Sequence, residues 1–318
     1  MSQEQQSETK RNLAYYRKRF AELNVSSNRK RGEAHYKPIL LLSVIDLIAQ
    51  DLIPNNQITV SDELIETFNK YWNILAAGSS YKGGLHYPFI HLQSEGFWHV
   101  TFKPEFNGLQ PKTTNKLRQA VDYANLDDEL FDLLQDPVAR QELIDTIIAA
   151  WFSANQKAIE DIVQINQDFQ DFTQHELDRQ ASEPKTILRK SVVRNAIFRK
   201  SIIQIYDYRC VFCHLKVVKS LTQTVVDGAH IIPFSESYDS NLDNGLSLCK
   251  NHHWAFDHGW FCIDDDYKII VPSDLQEDSP NARPMREFHG ETILLPSSEK
   301  YYPRLEAIQW HRRTWLNA

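Results

Sequence analysis

The chain has 318 residues, 42% hydrophobic and 24% charged, which excludes wholesale disorder and allows two separate cores. No apolar run approaches the roughly 20 residues that cross a bilayer, and the opening MSQEQQSETKR has no hydrophobic signal core, so the expected location is the cytoplasm, with no membrane partner. The formal charge of -7 argues only weakly against nucleic acid, because where charge sits matters more than its sum.

The charge is segregated. Residues 10–37 hold nine Lys or Arg against Glu22 and Glu33, and residues 185–200 (KTILRKSVVRNAIFRK) hold six with no acid. Residues 127–183 hold fourteen acids and three bases, which accounts for the overall sign. Each basic run, taken singly, also fits a solvated helix face.

In chain order, a basic amphipathic opening carries Tyr15, Phe20 and Leu23, and HYKPILLLSVIDLIAQ follows with Pro38 in a first helical turn and an apolar body that predicts a buried helix. ITVSDELIETFNKYWNIL predicts a second helix capped by Ser61, with Leu64, Ile65, Phe68, Tyr71 and Trp72 on one side. GGLHYPFIHLQSEGFWHVTF, rich in aromatic and β-branched residues, predicts a strand hairpin turning at Glu95-Gly96. From 114 to 155 the period is helical, with Leu130, Leu133, Leu134, Ile144, Ile147, Ile148 and Trp151 as core candidates. The expected fold class is α+β in two domains: a mixed α/β domain over 1–155, an acidic helical linker over 156–184, and a second domain over 185–318.

All four cysteines lie in the last third, and in a reducing compartment that clustering points to metal more than to disulfides. Cys210 and Cys213 have the CxxC spacing of a zinc knuckle, and Cys249 and His252 repeat the spacing with an imidazole as the fourth ligand. Such a Cys3His site is coordinatively closed, so it braces loops and does no chemistry. Cys262, in the apolar run WFCID, reads as a core residue, and His214 as exposed. Between the zinc half-sites the sequence reads as a strand carrying His230, a polar loop, Asn244-Gly245, an apolar run into Cys249 and a short helix. His253 and Asp257 are i and i+4 on that helix and share a face.

AHIIP, DNGLSLC and HHWAFDHGWF, framed by the CxxC/CxxH pair, resemble the HNH endonucleases, in particular the branch found in modification-dependent restriction enzymes. The resemblance spans about 190–315 and implies a ββα-metal nuclease domain whose products are a 3'-hydroxyl and a 5'-phosphate. It implies His230 as the general base, Asn244 as the residue that fixes the loop between the strands, and His253 as a ligand of a catalytic Mg or Mn ion. Many members of that family carry Asp or His just before the base, where this chain has Ala229. Asp257 is the favoured replacement as a direct ligand, with Asp227 acting through water; His258 reads as structural. Arg199 and Lys200 are expected to contact phosphate near the cut.

RGEAHYKPILLL together with HYPFIHLQSEGFWHV resembles the sulfur-binding domains with which some restriction endonucleases recognise phosphorothioate DNA. By position this implies Tyr87 and Pro88 in an apolar pocket for sulfur, with Arg31, His35 and Tyr36 nearby. Sulfur in place of a phosphate oxygen is larger, softer and less hydrated, so it tolerates an apolar contact. The expected partner is double-stranded, modified DNA. A pocket for a modified base such as 5-methyl- or 5-hydroxymethylcytosine stays open as an alternative, as does a zinc-stabilised DNA-binding protein with a degenerate nuclease site. Because one HNH site cuts one strand, a homodimer is one route to double-strand cleavage.

Overall fold

The computed structural model describes residues 11–28, 32–77, 79–106, 108–152, 163–171, 192–220, 223–278 and 282–316. The chain divides into two compact units: Met1–Ala154 with Lys190–Val193, and Asn155–Arg189 with Arg194–Ala318. No helix among the described residues is long and apolar enough to cross a membrane.

Unit 1 is built around α2 (Tyr36–Ala49), which is buried from Lys37 to Ile48 on every side. A helix that is apolar all round belongs at the centre of a core, and its few polar groups then need partners. Ser43 donates back to the Ile39 carbonyl, and Asp46 accepts from Tyr71 Oη and Gln50 Nε2. Lys37 bonds both Glu95 and Ser94. Onto α2 pack α3 (Asp62–Leu75), α4 (His86–His91), α6 (Asp128–Gln135) and α7 (Pro137–Trp151), while α1 (Leu13–Ala21) packs on α7 and α5 (Thr114–Ala120) on the strand that follows it. At the start of α3, Ser61 Oγ accepts from the Leu64 amide, while Asp62 and Glu63 complement the positive end of the helix.

Two expectations fail here. HYPFIH is the helix α4, not a strand: Pro88 sits in its first turn, where an amide hydrogen would have no helical partner in any case. Leu92–Glu95 continues as a 3₁₀ turn, and Gly96 at φ 78° ends it in the left-handed region, so Glu95-Gly96 is a helix terminus, not a hairpin turn. The strand that does follow, β3 (Trp98–Phe102), pairs antiparallel with β4 (Val121–Leu126), lodged between α5 and α6 where only helix was expected. A separate short pair, β1 (Ser27–Asn28) and β2 (Gly32–Glu33), precedes α2.

Unit 2 is a set of two-stranded antiparallel ribbons held by helices: β5 (Val218–Ser220) with β6 (Gln223–Thr224), β7 (Val226–His230) with β8 (Gly245–Cys249), and β9 (Cys262–Ile263) with β10 (Ile269–Ile270). The β7–β8 register runs from Val226 opposite Cys249 to His230 opposite Gly245. The helix Val192–Ile205, in unit 2 from Arg194 onward, lies against this ribbon through Phe198 and Ile202. Gly228 makes the approach possible, because a Cβ there would stand 2.7 Å from the Arg199 Cα. The site helix Lys250–Asp257 leaves directly from β8. It is backed by the C-terminal helix Leu305–Leu316, whose buried His311 stacks on Phe256 at 3.7 Å and bonds its carbonyl. The segment 163–171, expected within an acidic linker, is a helix of unit 2 with Asn166, Phe169 and Gln170 buried.

Candidate active site

Cys249 ends β8 and caps the site helix, so His252 falls one turn later and turns back over it. At the other half-site the Cys210–Cys213 knuckle is closed by the His214 amide donating to the Cys210 carbonyl, with His214 itself exposed and left-handed at φ 60°. The ligand atoms of Cys210, Cys213, Cys249 and His252 all lie within 4.8 Å of one another. His252 Nδ1 is 3.1 Å from Cys249 Sγ, and its ring stacks on Phe212 at 4.1 Å. Hydrogen bonds with its partner thiols push Cys210 up and Cys249 down, and although burial opposes it, bonds to Cys213 and Cys249 lift His252 to about 9. Three thiols and an imidazole at this spacing fit a closed zinc site, whose ion displaces those protons. Cys262 stands apart in β9, its thiol raised to about 11 by burial.

His253 is the next residue, turned about 100° round the helix and away from the thiols. Its Nε2 lies 3.5 Å from Asp257 and its Nδ1 3.9 Å from Asp227 on β7. Lys250 bonds the same Asp227 oxygen. Burial would raise the Asp227 carboxyl, but bonds from His253 and Lys250 prevail and hold it at about 2; burial raises Asp257. The two acids therefore address opposite nitrogens of one imidazole. Among the described residues only the Cys3His set gathers three or more ligating groups as closely as a metal cage requires. His258 turns away, its Nδ1 on the Trp254 carbonyl.

His230 ends β7 with its ring stacked on Phe198 at 3.7 Å and an interplanar angle of 11°. Burial, then the charges of Arg194, Arg199 and His253, lower its imidazole to about 3. It is therefore neutral at physiological pH, the form a base needs. Asn244, fully buried, pins the loop between the strands: Oδ1 accepts from the Ile232 amide at 2.9 Å, and Nδ2 donates to the carbonyls of Ile232 and Asp239. The predicted pair Arg199 and Lys200 separates. Arg199 is partly exposed beside His230, whereas Lys200 is buried with its ammonium 5.3 Å from the Tyr208 ring centre. Arg194, which the sequence reading passed over, is buried with its guanidinium 3.5 Å above the Phe234 ring. Its spacing of four from Phe198 was the available signal.

In unit 1, α4 delivers Tyr87 and Pro88, and α2 delivers Tyr36, to the wall of a cavity of about 890 Å³ shared with Lys37, Tyr81 and Lys82. Tyr36 is stacked on Trp72 at 4.4 Å and lies 5.4 Å from the Tyr87 ring. A Cβ on Gly83 would stand 2.7 Å from the Trp72 ring, so glycine there lets the chain pass close to the ring on which Tyr36 stacks. His35 does not line the cavity; its ring packs on Phe152 at 5.3 Å. Arg31 lies outside the described residues.

A ribbon, a pinned loop and a helix around two histidines, braced by a thiol site, define a ββα-metal nuclease unit. Comparison with known families agrees: residues 210–264 match the HNH endonuclease model, and residues 15–163 match that of the ScoMcrA-like DNA sulfur-binding domain. The chain thus sets a segment similar to DNA sulfur-binding domains before one similar to HNH endonucleases, and HNH nucleases use metal ions. One solved structure, a modification-dependent TagI restriction endonuclease, aligns at 24% identity with a TM-score of 0.29, over 38% of this chain and 38% of its own. No curated protein matches.

Proposed function

We propose that this protein is a restriction-type endonuclease that recognises DNA carrying a backbone phosphorothioate through unit 1 and hydrolyses a phosphodiester bond in unit 2. The observation that carries the reading is the neutral, buried-edge His230 at the end of a strand whose loop is locked by Asn244, next to His253 and Arg199. His230 accepts a proton from the water that attacks phosphorus, the bond to the 3'-oxygen breaks, and a 5'-phosphate and 3'-hydroxyl result. Arg199 neutralises the phosphate beside the base. Asn244 acts by holding the loop rather than by touching DNA.

The donors around His253 fit a hard divalent ion, Mg or Mn, which when bound would polarise the phosphate and stabilise charge on the leaving oxygen. Because the two acids sit on opposite ring nitrogens, one would share the ion with His253 and the other would orient the ring. Asp257, the more exposed, takes the first role; Asp227, already held by Lys250, takes the second. Zinc in the Cys3His set is structural.

In unit 1, Tyr36, Tyr87 and Pro88 supply apolar surface for sulfur and Lys82 a charge for the backbone. The cavity's volume, far beyond one sulfur atom, also favours a second reading in which it takes a modified base rotated out of the duplex. Double-strand cleavage would come from two copies or two successive events. A nicking assay with Mg or Mn tests the nuclease reading: His230→Ala should abolish cleavage, and equal activity in both proteins would remove His230 as the base.

A further inference from the structure

Ser240 lies in the loop between β7 and β8 and is fully buried, although it carries a hydroxyl and two backbone polar groups. A buried backbone amide and carbonyl in an irregular loop need partners from elsewhere. Both come from the 163–171 helix: Gln170 Oε1 accepts from the Ser240 amide at 2.9 Å, and Asn166 Nδ2 donates to the Ser240 carbonyl at 2.9 Å. Gln170 also donates to the Tyr238 carbonyl, at 3.4 Å. These side chains are themselves buried, so the contact is a fixed clamp and not a surface association. The clamped residue turns its Oγ to His230 Nε2, 3.5 Å away, long for a resting bond and of the kind that tightens when substrate closes a site.

The position of this serine bears on chemistry, because the ring nitrogen that keeps its lone pair is decided by what the other nitrogen bonds. Phe198 fixes the plane of the His230 ring by stacking, but stacking does not choose between the two nitrogens. Ser240 is the one side chain among the described residues bonded to the ring, and it meets Nε2. A hydroxyl can accept or donate at this contact, and a base that presents Nδ1 to water needs the arrangement in which Nε2 carries the proton and Ser240 accepts it.

We propose that Ser240 is a positioning residue for the general base, and that the 163–171 helix, through Asn166 and Gln170, is part of the catalytic architecture of the nuclease unit. The inference rests on the HNH reading above. It extends the machinery to a helix that lies almost wholly between the matched segments 15–163 and 210–264. It also gives the stretch of chain that follows the sulfur-binding match a hold on the base through Ser240.

The test uses the full-length, zinc-loaded protein cutting a phosphorothioate-bearing duplex with Mn. Ser240→Ala should lower kcat about tenfold with KM within about twofold, a loss well short of removing the base itself. Ser240→Thr, which keeps the hydroxyl, should restore most of it. Asn166→Ala, which leaves Ser240 in place but frees its carbonyl, should reproduce the loss with zinc content unchanged. Long-range ¹⁵N NMR of His230 should show the Nε2–H tautomer in the parent and a mixture in Ser240→Ala, a readout independent of turnover. Parental kcat together with an unchanged tautomer in Ser240→Ala would overturn the proposal, as would a failure of Ser240→Thr to rescue a folded protein. If His230→Ala cuts as well as the parent, the nuclease assignment itself has failed, and that result is distinct from either of these.

Discussion

The two sides of one short helix show how differently adjacent histidines are used. On the His252 side the neighbours are three thiols and the rings of Phe212 and Phe261, and the ligand set is complete within the chain. On the His253 side the neighbours are two carboxylates on opposite ring nitrogens, one of them half exposed, and no closed set forms among the described residues. A full soft-ligand cage stabilises a fold; an incomplete hard-ligand set leaves room for substrate and water. On the proposed function, scaffold and chemistry stand one residue apart, and each prediction presses on one side of that contrast.

The largest effect belongs to the proposed base. His230→Ala should reduce cleavage by at least about a thousandfold while leaving zinc content in place and the protein folded, with only a modest fall in melting temperature from the lost stacking on Phe198, as measured by single-turnover cutting and thermal unfolding. On the closed side, His252→Ala or chelation of zinc should unfold unit 2, because metal-binding free energy in such sites is folding free energy; circular dichroism against chelator concentration reads this out. The open side should respond in two distinct ways. Asp257→Asn should raise the Mn concentration for half-maximal cleavage about tenfold or more, and Asp227→Asn should chiefly lower kcat at saturating Mn, in line with the cost of losing an outer partner of a metal ligand. The reverse pattern would exchange the roles of the two acids.

A last predicted effect concerns stability against pH. His230 at about 3 and His311 at about 4 both lie below the ordinary histidine value near 6.5. A lowered value means the unfolded chain binds protons that the native chain does not, so stability is full above about pH 6.5 and falls as pH drops toward 4. At pH 5 each histidine should cost about 2 kcal/mol, seen as a falling denaturant midpoint. His311→Gln should flatten part of that slope without altering the pH dependence of cleavage.

Much of this was legible in sequence because the signals were local. Ser61 before an apolar stripe marked α3, and the CxxC and CxxH spacings marked the thiol site. What was hidden was tertiary. HYPFIH looks like a strand because its aromatic content outweighs a proline whose helical position matters only once the first turn exists. VDYANL became β4 because β3 needed a partner, a demand no local period expresses. Lys200 was grouped with Arg199 by charge, yet on a helix adjacent residues face different ways, and one was buried over Tyr208. Asn166 and Gln170 sit in an acidic, polar stretch that reads as connector, and only the contact with Ser240, some seventy residues away, gives them a role.

The central claim is that cutting by unit 2 depends on a chemical mark read by unit 1, and competition between duplexes measures it most directly. Equal amounts of a phosphorothioate-bearing duplex and its unmodified, methylated and hydroxymethylated counterparts are offered together to the parent protein and to Tyr87→Ala with Mn at moderate salt. The account predicts that the parent cuts the phosphorothioate duplex at least about tenfold faster than the others, a difference of about 1.4 kcal/mol, and that Tyr87→Ala loses that preference. Equal cutting of all four duplexes by the parent would contradict it.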